Sequence, residues 1–137
     1  MVCLVHMATE RSFDSEVFFA ALADRTRLRL LNLMRNGEVC VCFFAETLDT
    51  NNPKISRHLA YLRRASLVTG RRDGKWIHYR ISPPTNEKAA EVFGAVMEML
   101  KDDQEMRLDS QRLVNVCCSP RTLVSIQRDL RRQTTPL

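Results

Sequence analysis

Four of the five cysteines come in two close pairs, Cys40-Val41-Cys42 and Cys117-Cys118. Neither spacing suits an easy intrachain disulfide, and thiols in a reducing compartment stay reduced. Paired cysteines there point to binding of a soft ion, for which thiolate is the preferred side-chain ligand, or to redox sensing. Thiols buried as small apolar residues are the bland alternative. A second group of residues concerns charge. Between Pro53 and Ile81 stand Lys54, Arg57, Arg63, Arg64, Arg71, Arg72, Lys75 and Arg80 against the single acid Asp73, whereas the whole chain nets +5. The rest of the chain is therefore net acidic, and positive charge gathers in one sub-region, as on a phosphate-facing surface. A solvated basic face without a partner competes with that reading.

Other chemistries find no residues to carry them. There is no P-loop, no Gly-x-Gly-x-x-Gly, no nucleophile elbow and no paired carboxylate near a histidine, so the chain is not expected to be an enzyme and needs no catalytic cofactor. No apolar run reaches the roughly 18–20 residues that a bilayer demands. The opening Met1–Met7 is too short and too poor in basic residues for a signal peptide, which predicts a flexible leader over 1–12 and a cytoplasmic, membrane-free protein.

The elements that must position these groups follow from hydrophobic spacing. Phe13, Val17, Phe18, Ala21 and Leu22 recur at helical intervals over Ser12–Ala23. Asp24 is a good N-cap for a second helix carrying Leu28, Leu31 and Met34 and ending by Gly37. A short apolar stretch, Val41 to Leu48, precedes the turn Asp49-Thr50-Asn51-Asn52, with Asn52 as cap and Pro53 at the first position of the next helix. That helix buries Ile55, Leu59 and Leu62 and turns basic residues outward, the second half of a helix-turn-helix. Strands over Leu67–Arg72 and Lys75–Ile81 flank Asp73-Gly74, a pair suited to a type I′ turn. A long helix over about Asn86–Leu108 carries Val92, Phe93, Val96, Met97 and Leu100, and a short helix is possible after Pro120.

The predicted fold is thus mainly α with a β-hairpin, an α+β winged helix-turn-helix over 13–108, followed by a tail over 109–137 that holds Cys117 and Cys118. A domain of 137 residues cannot bury the apolar faces of both its first and its long helix, which predicts a homodimer paired through them, with an intramolecular cap as the alternative. In the major groove of double-stranded DNA, Ser56, Arg57, His58 and Tyr61 lie where recognition helices reach base edges, while Lys54 and Arg64 suit phosphates. Arg71, Arg72 and Lys75 at the hairpin tip suit the backbone or minor groove. His58 sits beside Leu59, so it is a candidate either for DNA or for the edge of the core.

Three ordered motifs, Gly37-Glu38-Val39-Cys40-Val41-Cys42, Pro53-Lys54-Ile55-Ser56-Arg57-His58-Leu59 and Gly74-Lys75-Trp76-Ile77-His78-Tyr79-Arg80-Ile81-Ser82-Pro83, resemble the ArsR/SmtB metalloregulators, above all their arsenite-responsive members. The resemblance spans about Phe18 to Pro84. It implies a winged-helix homodimer that represses transcription and leaves its operator when As(III) or Sb(III) binds cysteine thiolates. Cys40 and Cys42 match ligands of that family. The arsenite-responsive members usually continue Asp-Leu-Cys where this chain has Phe43-Phe44-Ala45, so the third sulfur is missing from its usual place. Cys117 or Cys118 can supply it if the tail folds back, from its own subunit or the partner, and a small exogenous thiol is the other source. Some relatives sense zinc through Asp and His on the long helix, but no histidine lies between Asn86 and Leu108. A thiol redox switch on the same DNA-binding body remains the alternative.

In a helix, residues two apart point about 200° from each other, whereas in extended chain they share a face. Closing Cys40 and Cys42 on one ion is therefore expected to hold open the start of the third helix and to disturb the recognition helix beyond it.

Overall fold

The computed structural model describes residues 12–117. Helix α1 (Ser15–Leu22) begins at Asp14, whose carboxylate accepts from the N–H groups of Glu16 and Val17. Helix α2 (Arg25–Leu33) begins at the expected cap, Asp24, which accepts from the Arg27 N–H at 3.0 Å. Both caps satisfy donors that a helix leaves open at its start. Gly37, at φ +142°, ends the loop after α2 in a backbone state that favours glycine.

Next comes a strand that hydrophobic spacing did not reveal, β1 (Val39–Cys40), then α3 (Val41–Thr47) and α4 (Asn52–Arg64). The cap of α4 is Asn51 rather than Asn52. Its side-chain oxygen accepts from the Lys54 N–H at 2.9 Å, and Pro53 falls one place deeper, still within the first turn where its missing N–H costs nothing. The wing is β2 (Val68–Asp73) and β3 (Trp76–Ile81), and the sheet runs in the order β1-β3-β2 with both pairings antiparallel. Asp73 pairs with Trp76, so Gly74-Lys75 is the two-residue turn. Only its first residue has positive φ, +60° at Gly74. That is the pattern of a type II′ turn, in place of the expected I′.

The expected single long helix is two. Helix α5 (Glu87–Lys101) stops before Asp102-Asp103, and α6 (Gln104–Cys117) starts again. Asp103 explains the break, since its carboxylate accepts from the Met106 N–H at 3.2 Å, and aspartate favours caps over helix interiors. Helix α6 then folds back onto α2 and α3. The expected boundary between domain and tail at 108/109 thus runs through a continuous helix.

The core gathers Phe18, Leu30, Leu31, Phe44 and Leu67 with the expected stripe Ile55, Leu59 and Leu62, all buried. Polar contacts fasten α6 to α2. Arg29 makes a bidentate pair with the fully buried Asp109, at 2.7 and 2.9 Å. Buried Asn32 donates to the Met106 carbonyl at 2.9 Å, and Arg25 reaches Asp103 and Glu105 at 2.8 Å each. No helix among the described residues is long and apolar enough to cross a membrane. Truncating Asp109 would leave Arg29 half-buried without its carboxylate, so Asp109→Ala should cost about 3 kcal/mol of stability, read as a lower urea midpoint. An unchanged midpoint would mean that α6 is not held by this pair.

Candidate functional site

Cys40 closes β1 and is also the N-cap of α3, with extended backbone at φ −68° and ψ 138°, while Cys42 already lies inside the helix. The backbone changes from strand to helix between the two sulfurs, and they meet at 3.1 Å, the Cys42 thiol donating to Cys40. The expected conflict between helix and sulfur pair therefore does not arise. An extended cap residue aims its side chain over the first turn, so α3 stays whole.

This hydrogen bond divides the proton unequally. Donation from Cys42 holds the Cys40 thiol down at about 6, against the effect of its burial, with help from the N–H groups of Cys42 and Val41 and from His78. The same bond, burial and the negative charge on Cys40 push the Cys42 thiol up. A helix start beside a thiolate is a familiar cause of such depression. The proton of the pair therefore stays with Cys42, and Cys40 is the sulfur held toward thiolate.

An open pocket of about 610 Å³ lies against Cys40, walled by Leu33, Phe43, His78, Leu113, Val114 and Cys117. Because α6 packs on α3, its last residue, Cys117, reaches this pocket. Among the described residues no three His, Cys, Asp or Glu side chains already converge on one point as a finished metal site. Of the four cysteines expected to bind an ion, then, Cys40 and Cys42 are joined, Cys117 stands on the same pocket, and Cys118 lies outside the described residues.

His78 and Glu38 were not legible as site residues. His78 faces Cys40 across the β1–β3 pairing, and its Nδ1 is 3.9 Å from the Glu38 carboxylate. The alternation of β3 puts a histidine on that face, but only the unforeseen β1 sets a cysteine opposite it.

Most of the basic side chains expected to face DNA are exposed. Lys54, Ser56, Arg57 and Arg64 are exposed along α4, as are Arg72 and Lys75 on the wing. Tyr61 is 48% exposed, and the guanidinium groups of Arg27 and Arg64 stand 4.7 and 5.5 Å from the centre of its ring. His58 departs from the outward set. Its Nδ1 is 3.4 Å from Arg27 and 3.7 Å from Asp24, and burial lowers its pKa. The cause is position: on the flank of the Ile55–Leu59–Leu62 stripe it packs on the start of α2. Arg27, absent from the expected set, also donates to the last carbonyls of α1, Ala20 at 2.7 Å and Ala21 at 2.9 Å. Arg71 is engaged as well, by Glu38 at 2.6 Å.

A helix pair whose second member presents a basic face, followed by a basic hairpin and with a thiol pair behind them, defines a winged helix-turn-helix DNA-binding regulator, not an enzyme. Residues 24–69 match the family described as "Bacterial regulatory protein, arsR family". The arsenical resistance operon repressor of Escherichia coli is 49% identical over 76 residues, 55% of this chain and 65% of that one. The arsenic resistance transcriptional regulator ArsR2 of Pseudomonas putida is 46% identical over 110 residues, 73% of this chain and 94% of that one. Among solved structures, the homodimeric winged helix-turn-helix DNA-binding domain of Mb0332 from Mycobacterium bovis superposes with a TM-score of 0.53 at 30% identity, over 66% of this chain and 81% of that one. The chain belongs to the ArsR family.

The division of the proton has a direct readout. Alkylation of Cys40 by iodoacetamide, followed by mass spectrometry, should show a midpoint near pH 6. In Cys42→Ala the donor is gone, and the midpoint should climb toward the ordinary thiol value of about 8.5. Equal midpoints in both proteins would show that the sulfurs do not share a proton.

Proposed function

We propose that this chain is a cytoplasmic, homodimeric repressor that holds double-stranded operator DNA through α4 and the wing and releases it when As(III) or Sb(III) is captured by cysteine sulfurs. The observation that carries this reading is the pair of sulfurs 3.1 Å apart at the start of α3, the short helix that leads into the basic helix α4.

The donor set suits a soft trivalent ion. Two sulfurs each about 2.3 Å from one ion stand about 3.8 Å apart at the tetrahedral angle and about 3.3 Å apart at a right angle. The observed spacing is nearer the second, the arrangement of a pyramidal centre with a lone pair. Cys40 and Cys42 supply two sulfurs, and Cys117, on the same pocket, supplies the third, with Cys118 next to it in the chain. Arsenous acid then exchanges three hydroxyls for three sulfurs; the two thiol protons leave with hydroxyls as water, and the hydroxyl displaced by the Cys40 thiolate takes its proton from the solvent. The names of the Escherichia coli and Pseudomonas putida relatives agree with this inducer.

Pairing of protomers is supported by apolar side chains left uncovered on the helices expected to meet, Phe19 on α1 (54% exposed) and Met99 on α5 (62%). Lys54, Ser56, Arg57, Tyr61, Arg64, Arg72 and Lys75 form the DNA face; Arg71 joins them when it leaves Glu38, and His58 supports the helix from behind. Capture of the ion draws the end of α6 toward the start of α3 and shifts α4, which follows after the Leu48–Asn51 connection. The two recognition helices then no longer match half-sites one helical turn apart. Linkage requires that operator and inducer weaken each other equally, typically by about 5- to 150-fold.

Fluorescence anisotropy on a palindromic operator selected from random duplexes tests both halves. Affinity should fall about a thousandfold or more between 50 and 200 mM salt if six to ten phosphates are neutralised; a flat salt dependence would rule out the DNA face. Arsenite should weaken binding of the wild type, while Cys40→Ser should bind the operator normally and ignore arsenite. Cys117→Ser should respond only at higher arsenite. The 3.1 Å sulfur pair also favours one second reading, a redox-switched repressor of the same fold. Peroxide releasing the operator where arsenite does not selects it.

A further inference from the structure

The sheet places the sulfur pair and the wing on one line. Cys40 is the cross-strand partner of His78, and His78 is the partner of Arg71 on its other side. Directly paired residues on neighbouring strands share a face of the sheet, so Cys40, His78 and Arg71 form one rung running from the thiol pocket to the hairpin. Glu38, two residues before Cys40, reaches over that rung. Its carboxylate accepts from Arg71 Nη2 at 2.6 Å and from Arg71 Nε at 3.2 Å to each oxygen. His78 Nδ1 flanks the carboxylate at 3.9 Å, and Asp73 approaches Arg71 from the wing at 3.9 Å.

We propose that Glu38 is a built-in substitute for a DNA phosphate, a latch that occupies Arg71 and so ties the grip of the wing to the state of the thiol pocket. A carboxylate and a phosphate present the same acceptors to a planar guanidinium; Glu38 takes the Nε/Nη2 edge of Arg71 and Asp73 stands by its Nη1, so neither edge is open to a phosphate while both carboxylates are in place. On the operator, Arg71 turns to the phosphate and leaves Glu38. Off the operator it returns, and the return offsets part of the cost of leaving DNA. Glu38 and Cys40 belong to one short segment, the end of the α2–β1 loop and β1, so capture of an ion at Cys40 and Cys42 fixes the carboxylate in place opposite Arg71. The pair is exposed and worth little as a source of stability. Its effect is competition. The inference rests on the reading of the chain as an operator-binding, inducer-released repressor, and it gives Glu38 a positioning role in that cycle.

The decisive variant is Glu38→Gln, with Arg71→Ala and the double variant beside it, all as full-length chains. With the latch gone, Glu38→Gln should bind the operator more tightly. Its salt slope should stay close to that of the wild type, because Arg71 meets one phosphate per protomer on the operator in both, whereas Arg71→Ala should flatten the slope by about 1.8 per dimer. Arsenite should still bind Glu38→Gln with the wild-type sulfur count but release the operator less. In the Arg71→Ala background, Glu38→Gln should change nothing. Weaker operator binding by Glu38→Gln would show that the pair merely braces the wing, and a wild-type slope in Arg71→Ala would show that Arg71 meets no phosphate; either overturns the proposal. Glu38→Asp, which keeps the charge, should restore part of the latch. If instead the wild type fails to bind DNA or to respond to arsenite, the underlying reading fails and not the latch alone.

Discussion

The passage of the backbone from strand to helix at Cys40 is the constraint around which the thiol pocket is built. A residue with extended dihedrals that also caps a helix directs its side chain over the first turn, where Cys42 points. Two sulfurs that a continuous helix would hold on opposite sides therefore meet, and the helix start that brings them together also favours the thiolate on Cys40. Joining and activation have one cause. Replacing the strand by another turn of helix would lose both.

The pocket depends equally on a helix far away in sequence. Helix α6 is held by the buried Asp109–Arg29 pair and by Asn32 on the Met106 carbonyl, polar contacts in a place where apolar packing would often be as stable. What such contacts add is register. A purely apolar face lets a helix slide or roll, whereas a bidentate pair fixes its rotation and its axial position. For α6 that determines where Cys117 stands. The Asp102-Asp103 break matters for the same reason, since an unbroken helix would carry Cys117 away from the pocket.

Much of this fold was legible in the residues. The stripe Ile55, Leu59 and Leu62, the cap at Asp24 and the hairpin between two short alternating runs all came from local rules, because each depends on neighbours within a few residues. The errors have physical sources. A strand of two residues, Val39–Cys40, is too short for periodicity and exists only because β3 pairs with it. Apolar spacing ran on through Asp102-Asp103, where capping chemistry won. His58 sits at the border of two faces, and which one it serves is decided by Asp24 and Arg27, about thirty residues earlier. The sulfur pair was visible as a pair, but its geometry was not, because the spacing says nothing of where strand yields to helix. Glu38 and His78 became site residues only through cross-strand pairing.

Arg27 binds the closing carbonyls of α1, lies on α2, and stacks on Tyr61 of α4. One planar cation thereby bolts three helices at a single joint. Helix α4 cannot rotate alone about its own axis without tearing this joint. The recognition surface moves as part of a lever whose far arm is α1. A tilt of α1 is thus carried into α4 through Arg27, and the exposed Phe19 lies on the helix at the far end of that lever.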